Sequence, residues 1–323
     1  MLEGSYLFYG PVLSRRFGYS LGIDLVPFKV CVYDCVYCQL GGTTNKTAER
    51  RKYMDIDFKD FKTELIKRIN DSPYINYITF SGSGEPTLNS DIGKLIGIVK
   101  ENSDIPVAVL TSGGTLGFDD VIDDIKGADL IKVSLDAPDN RLFKKINRPC
   151  RTVNFSKNIA GLRELIKVFN GNIWLEIMIL KGINDDIVSA CRFKHILDDL
   201  GDGIKKVHLN TSVRSLDKFR GLYNLQIPDL SRLKEIKDIL GSKTQIIGKI
   251  NYKKYSRTLI KIEEEITQLL KRRPVSIKDI SSSLGLNLNE VIKTIDKLLS
   301  EGEIGYSINE NIKYYFKSKE LKA

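Results

Sequence analysis

Short apolar runs alternate with longer segments of helical period over the first 250 residues. Six nearly continuous runs rich in β-branched residues predict parallel strands covered by helices. These strands span residues 20–26, 77–82, 106–112, 130–137, 173–180 and 205–210. Amphipathic segments that predict helices span residues 58–69, 91–102, 118–127, 156–169 and 186–200. This repeated βα unit is typical of an α/β fold, either a doubly wound sheet or a full or partial barrel.

The pattern changes at about residue 251. After a basic, aromatic connector, three short helical segments follow at residues 263–273, 275–286 and 287–302. Two alternating runs then flank a turn at residues 309–311 and predict a β-hairpin. Three helices followed by a hairpin resemble a winged helix-turn-helix. We therefore predict two domains, residues 1–250 and residues 251–323.

Composition and charge narrow the class of protein. The start of the chain lacks the pattern of a signal peptide, and no apolar run approaches the ~18 residues of a membrane span. Five cysteines, three of them clustered, do not form an extracellular disulfide framework, so we expect a cytoplasmic protein with no membrane partner. The net charge of +9 favours an anionic partner such as RNA, although a lysine-rich solvated surface would give the same value.

The segment CVYDCVYC places three thiols directly after the first predicted strand, at Cys31, Cys35 and Cys38. In an α/β barrel the loops that follow the strands form the functional face. Three thiolates supply three ligands of a [4Fe–4S] cluster and leave the fourth iron open for a small molecule. The alternative is a zinc site that is completed by His195 or His208.

The spacing Cys31-x3-Cys35-x2-Cys38, with Tyr37 before the last cysteine, resembles the signature of the radical S-adenosylmethionine (SAM) superfamily. Residues 10 to about 215 are similar to iron–sulfur oxidoreductases allied to the wyosine-base tRNA synthases. The resemblance implies a partial (β/α)6 TIM-like barrel in which the three cysteines hold a [4Fe–4S] cluster and Tyr37 lies against the cofactor. It further implies that the open iron binds SAM. A low-potential donor such as ferredoxin or flavodoxin would then allow reductive cleavage to methionine and a 5′-deoxyadenosyl radical, which abstracts hydrogen from the substrate.

The segment FSGSGEPT, at the end of the second predicted strand, resembles a glycine-rich segment of the same superfamily. The resemblance implies that Gly82 and Gly84 let the backbone approach SAM. It also implies that Glu85 shapes the methionine end of the binding site.

Three later strand ends carry further candidates by the same resemblance. Ser112 of LTSGG stands where relatives often have asparagine. Ser134 and Asp136 of VSLDA are the implied contacts of the ribose, and Ile183 and Asn184 of KGIND those of adenine and ribose.

Other chemistry-bearing residues leave alternatives open. Cys150 is a candidate catalytic residue that would donate a hydrogen atom or carry a covalent intermediate, although an inert buried thiol is the interpretation we favour. Glu176 lies mid-strand and is expected to point into the barrel. Arg15 and Arg16 could bind an acidic substrate or the SAM carboxylate, but solvated arginines are the default expectation. The basic loop at residues 41–52 suits a phosphate-bearing substrate, although a solvated loop would have the same composition.

These observations favour a radical SAM enzyme whose substrate is an RNA or tRNA base. Wyosine synthases carry a second cluster, and Cys150 and Cys191 are too few for one, so we do not expect the wyosine reaction itself. The first alternative is radical modification of a protein partner. The second is a non-enzymatic iron–sulfur or zinc sensor that binds DNA through the C-terminal helices.

Overall fold

The computed structural model describes most of the chain as an α/β unit followed by a small C-terminal unit. The described residues are 7–38, 40–72, 74–211, 225–247, 258–272, 274–284, 286–309 and 312–318. The strands are β1 (Phe8–Ser14), β2 (Gly18–Ile23), β3 (Val30–Cys31), β4 (Asn45–Lys46), β5 (Tyr77–Phe80), β6 (Val107–Thr111), β7 (Leu130–Ser134), β8 (Asn172–Ile179), β9 (Ile204–Thr211), β10 (Thr244–Ile246), β11 (Ile304–Asn309) and β12 (Ile312–Lys317). The helices are α1 (Phe58–Asp71), α2 (Ile92–Asn102), α3 (Val121–Ile125), α4 (Asn140–Ile146), α5 (Phe155–Val168), α6 (Ile187–Leu200), α7 (Leu230–Leu240), α8 (Thr258–Arg272), α9 (Ile277–Leu284) and α10 (Leu288–Ser300).

The main sheet distinguishes between the two α/β folds that the pattern predicts. Its strand order is β1-β2-β5-β6-β7-β8-β9-β10, with β1 antiparallel to β2 and the later neighbours parallel. A doubly wound sheet reverses its order at a switch point, whereas this order follows the chain throughout. Right-handed crossovers in one direction place the helices on one face of the sheet. The fold is therefore that of a partial, TIM-like barrel.

The two faces of the strands have different compositions. On β7, Ile131 and Val133 belong to the main hydrophobic core against the helices, whereas Lys132 and Ser134 alternate with them and face inward. The helices complete that core with apolar residues at helical spacing, such as Leu95 and Val99 of α2. The inward face is consequently polar over its upper part, where the strands end.

The β1–β2 turn closes the lower end of the barrel. The Phe17 ring stacks on the Trp174 ring at 5.6 Å between centroids and contacts Tyr77 at 5.2 Å. Ala108 and Leu130 complete this small apolar cluster. Because the turn inserts from below, the neighbouring Arg16 also enters the barrel.

The C-terminal unit has a core of its own and packs on the barrel. Helices α8 to α10 and the β11–β12 hairpin bury residues such as Ile280, Val291 and Tyr315 together. Helix α10 contacts β1, and Glu290 is buried there. Burial raises the pKa of Glu290, while the Arg68 charge and the backbone N–H of Gly10 oppose this shift. The predicted boundary near residue 250 lies outside the described residues, so the two-domain division stays a prediction.

The six predicted strands and five predicted helices of the first 250 residues are confirmed, with shifts of at most a few residues at their ends. The three C-terminal helices and the hairpin are confirmed as elements too. Strands β1 and β10 and helices α4 and α7 were not expected. No helix among the described residues is both long enough and apolar enough to cross a membrane.

Candidate active site

The three cysteines lie on the loop between β2 and α1, at the upper end of the barrel. Cys31, Cys35 and Cys38 are half-buried and form no disulfide. The buried Lys29 donates from Nζ to Cys38 Sγ at 3.0 Å, and Asn147 Nδ2 donates to Cys35 Sγ at 3.5 Å. The loop thus presents its thiols with two hydrogen-bond donors already in place.

Burial and nearby negative charges disfavour free thiolates at this loop, so the thiolates need a positively charged partner. Burial, with the nearby Glu85 charge second, raises the pKa of the Cys31 thiol to about 12. Burial likewise raises the pKa of Cys35, and the Asp136 charge adds to this effect. Thiolates are the ligating form of cysteine, so a group that carries positive charge is needed to hold them at neutral pH.

The geometry does not favour a zinc site. Within the described part of the chain, no three His, Cys, Asp or Glu side chains come together around a position for one metal ion. His208 packs edge-on against the Trp174 ring inside the barrel, and His195 lies on α6. A cubane cluster takes one thiolate on each iron, so its ligands do not converge on a single point.

A second loop, which follows α4, holds the cysteine loop from behind. Cys150 N donates to Val32 O at 2.9 Å, and Val36 N donates to Ile146 O at 2.9 Å. Asp34 is ion-paired with Arg148 at 2.9 Å. The thiols are therefore placed by backbone contacts over a span of more than a hundred residues.

The glycine-rich turn after β5 packs directly against the cysteine loop. A Cβ on Gly84 would lie 1.9 Å from Val30 O, and one on Gly82, at φ +156°, would lie 2.1 Å from the Asp24 carboxyl carbon. Ser83 O accepts from Lys29 N at 2.8 Å, and Glu85 N donates to Val30 O at 3.0 Å. Glycine at position 84 permits the close approach of the two backbones, and glycine at position 82 leaves room for the Asp24 side chain.

The Glu85 carboxylate links the ends of β5 and β6 through hydrogen bonds. Its side chain is 1% exposed and accepts from Thr87 Oγ1 at 2.6 Å, Thr111 Oγ1 at 2.8 Å and Ser112 N at 2.7 Å. With both oxygens engaged, this carboxylate fixes the shape of the site from beneath.

Asp136 and Asn184 connect the ends of β7 and β8 in the same way. Asp136 accepts from Tyr37 Oη, from Asn147 Nδ2 at 2.8 Å and from Met178 N at 3.0 Å. Burial raises its pKa, while these hydrogen bonds oppose the shift. Asn184 Nδ2 donates to Asp136 O at 2.9 Å and to Met178 O at 2.8 Å. The Asp136 contact with Tyr37 also anchors the cysteine loop to the barrel.

A cleft opens beside the hydrogen bonds that Asp136 and Asn184 make. Ser112, Ser134 and Asp136 line it together, and their contact with SAM stays a prediction. Ile183 is half-buried on the neighbouring loop. Cys150 instead lies in the apolar cluster behind the cysteine loop, so its catalytic role stays a prediction.

Sequence reasoning missed three residues that support this site. Lys29 and Asn147 contact the thiols, and Asp24 accepts from Ser83 N and Oγ at 2.9 and 2.6 Å. Asp24 had a signal, because it interrupts the apolar run LGIDLV. Lys29 and Asn147 had none, since their partners are set by the fold.

Comparisons with known proteins agree with this geometry. Residues 25–193 match the family described as the radical SAM superfamily. The chain is 34% identical, over 95% of its length, to a protein named GTPase Obg from Brachyspira hyodysenteriae, but it spans only 44% of that protein. It is 31% identical, over 92% of its length, to a UPF0026 protein of Methanocaldococcus jannaschii and spans 91% of it.

More distant similarities cover part of the chain. It is 23% identical over 53% of its length to the probable dual-specificity RNA methyltransferase RlmN of Exiguobacterium sibiricum, and spans 51% of that protein. A radical SAM methyltransferase from Sphaerobacter thermophilus shares the fold, with a TM-score of 0.52 and 19% identity over 70% of this chain and 66% of that one. The chain belongs to the radical SAM superfamily, whose enzymes use a [4Fe–4S] cluster and SAM, and it is a radical SAM enzyme.

Proposed function

We propose that Cys31, Cys35 and Cys38 each ligate one iron of a [4Fe–4S] cluster, and that SAM occupies the fourth iron. The residues fit this group: three free thiols share one loop, which packs on a glycine turn where a Cβ would clash. When bound, the cluster and SAM supply reductive cleavage and a hydrogen-abstracting radical. The half-exposed loop would receive its electron from a low-potential donor such as ferredoxin or flavodoxin.

The chain's own residues then divide into contacts and supports. We propose that Tyr37, Ser112, Ser134 and Ile183, with the backbone of Gly82 and Gly84, contact SAM. Glu85, Asp136 and Asn184 have their oxygens and amides engaged within the protein, so they act by positioning the strand ends. The single observation that carries the proposal is this assembly of loop, turn and cleft at one end of the barrel.

For the substrate we propose an RNA base. The net charge of +9 supports this, as does the similarity to a protein named as an RNA methyltransferase. The basic loop at residues 41–52 supports an RNA substrate less than its sequence suggests. Its Arg50 is already paired with Asp120 and Asp124 and donates to Thr87 O.

We propose that residues 251–323 form a winged helix that docks on the barrel, in the cytoplasm, as part of the enzyme. Asn289 and Glu290 at the start of α10 are buried. Burial raises the pKa of Asp24 to about 6, while hydrogen bonds from Ser83 and Asn287 oppose this shift. A reading helix must present such positions to a groove, so the arrangement disfavours the DNA-binding sensor.

A protein substrate is the second candidate, and one observation favours it. The C-terminal hairpin exposes apolar side chains, with Tyr306 46%, Ile308 53% and Ile312 46% accessible. Such a face is suited to contact with a polypeptide.

The test is an anaerobic assay of the full chain after reconstitution with iron and sulfide. We expect SAM and a strong reductant to yield 5′-deoxyadenosine, and total tRNA to raise its rate. If a ribonuclease-treated protein fraction raises the rate of 5′-deoxyadenosine formation and tRNA does not, a protein substrate replaces the RNA proposal. An intact cluster that leaves SAM uncleaved would refute the enzymatic assignment of the site.

A further inference from the structure

A group of charged side chains occupies the barrel interior below the cleft. Glu176 of β8 accepts from Lys132 Nζ at 3.1 Å and is ion-paired with Arg16 from the β1–β2 turn. Although it lies inside the barrel, this group is not sealed: the side chains of Arg16 and Glu176 are 12% exposed and that of Lys132 10%. Lys132 Nζ also lies 3.5 Å from Ser134 Oγ, which lines the cleft, so the interior and the cleft adjoin.

Several cationic side chains surround this group. Lys206 stands over the Trp174 ring at 4.4 Å, beside His208. Burial first, and then the charges of Arg16, Lys206 and Lys132, lower the pKa of His208 to about 4, so this imidazole is neutral at pH 7. The Glu176 carboxylate contacts Arg16 and Lys132, and the charges of Asp136 and Glu85 also act on Lys132. Burying cations is costly unless anions balance them, and a bound anion would add to that balance.

Two buried polar groups beside these cations have no hydrogen-bond partner among the described residues. They are His208 Nδ1 and Asn210 Oδ1, on side chains that are 3% and 5% exposed. His208 aligns with Glu176 across the parallel β8–β9 pair, and Asn210 is two residues further on, so both share the inward face. A neutral imidazole can carry its proton on Nδ1, and a carboxamide can rotate to present its N–H groups. Buried polar groups are normally paired, so these two indicate a missing ligand.

We propose that Arg16, Lys132, His208 and Asn210 form an anion-binding subsite in the barrel interior. It binds the carboxylate or phosphate group of the molecule that reacts at the cleft. Carboxylates and phosphates share the charge and the acceptor oxygens that these donors recognise. That the anion is part of the reacting molecule rests on the proposed function, whereas the binding itself does not.

The chain offers a direct probe, because it contains only two histidines. The full-length protein, labelled with ¹³C at histidine, is titrated with inorganic phosphate and separately with acetate at constant ionic strength. We expect the His208 signal to shift and saturate with at least one of them, while the signal of His195 on α6 stays unchanged. The probe that shifts it identifies the anion as phosphate or carboxylate. Equal, unsaturable shifts of both signals, or no shift of His208, would overturn the proposal.

Two variants with opposite expected effects separate anion binding from a purely structural role. Lys132→Met removes a cation and should weaken the binding roughly tenfold, since a charge-assisted hydrogen bond is lost. Glu176→Gln removes the competing carboxylate and should tighten the binding at least about threefold by the same reasoning. Lys167→Met, at an exposed position of α5, is the matched control and should leave it unchanged.

A structural ion cluster would be damaged by both changes, and affinity for the probe would then fall in both variants or in neither. Either result contradicts the proposal. SAM cleavage in the absence of any substrate is measured in parallel. If it is absent from the wild-type protein while His208 still shifts, the proposed function fails and the anion subsite stands.

Discussion

The mouth of the barrel, which is its upper end where the strands end, and the barrel interior are both lined with buried polar side chains. The two regions differ in whether these side chains have hydrogen-bond partners. At the mouth, Glu85, Asp136 and Asn184 are hydrogen-bonded to neighbouring strand ends. In the interior, His208 Nδ1 and Asn210 Oδ1 lack partners among the described residues. Saturated groups hold a shape, whereas groups with spare hydrogen-bonding capacity are available to a ligand. The comparison thus separates residues that position the site from residues that would bind within it.

The largest effect is expected at the mouth. Glu85→Ala leaves the Thr111 hydroxyl and the Ser112 N–H buried without their acceptor, which should lower the free energy of unfolding by about 3 kcal/mol. Urea denaturation measures this, with Glu101→Ala at the exposed end of α2 as the control. A loss for Glu85→Ala no greater than that of the control would show that these hydrogen bonds are not structural.

The interior should respond to pH instead. Burial, with the Arg16 charge next, lowers the pKa of Lys132 to about 7, from an ordinary value of 10.5 in the unfolded chain. Between these two values the unfolded chain binds a proton that the folded protein does not, so this group makes stability rise with pH, by at most about 1.4 kcal/mol per unit. Lys132→Met should lack this rise.

Urea denaturation of both proteins at pH 7, 8 and 9 measures the difference, with Lys167→Met as the control. Stability curves that run parallel for wild type and Lys132→Met would mean that Lys132 does not titrate in this window.

A smaller effect is expected for the hydrogen bond that links the cysteine loop to the barrel. Tyr37 donates to Asp136, so Tyr37→Phe and Asp136→Asn should be coupled by about 1–2 kcal/mol in a double-mutant cycle. SAM affinity of the reconstituted protein is the second readout, and we expect it to fall in both single variants. If the two substitutions have additive effects on stability, Tyr37 and Asp136 are not energetically coupled.

The smallest effect is expected in the C-terminal unit. Asn287 caps α10 by accepting from Asn289 N at 2.9 Å. Asn287→Ala should cost about 1 kcal/mol of stability, the usual value of a cap, without changing SAM affinity. A marked loss of SAM affinity would show that the C-terminal unit reaches the mouth through Asp24.

The elements that the sequence predicts are those with a strong local pattern. The six parallel strands are apolar and nearly continuous because helices cover them, and their period identifies them. Strand β1 was missed because Gly10-Pro11 interrupts its pattern, and β10 because it has only three residues. Helix α4 is a seven-residue segment with too few turns to show a period.

The residues of the site follow the same rule, because those in local motifs could be predicted and the others could not. The three cysteines and the glycine turn are local motifs, and the sequence alone identifies them. Solvation was the default expectation for Arg16, and the structure corrects this default: its surroundings are created by β7 and β8, more than a hundred residues away. Lys29 and Asn147 were missed for the same reason, since contacts made only by the fold leave no local pattern.

The most direct test of the central claim is the electron paramagnetic resonance spectrum of the reduced, reconstituted protein with and without SAM. We predict a [4Fe–4S] signal that changes on addition of SAM, that is lost in Cys38→Ser and that persists in Cys191→Ser, which removes an exposed thiol of α6. A signal that ignores SAM, or one that survives in Cys38→Ser unchanged, would contradict the account.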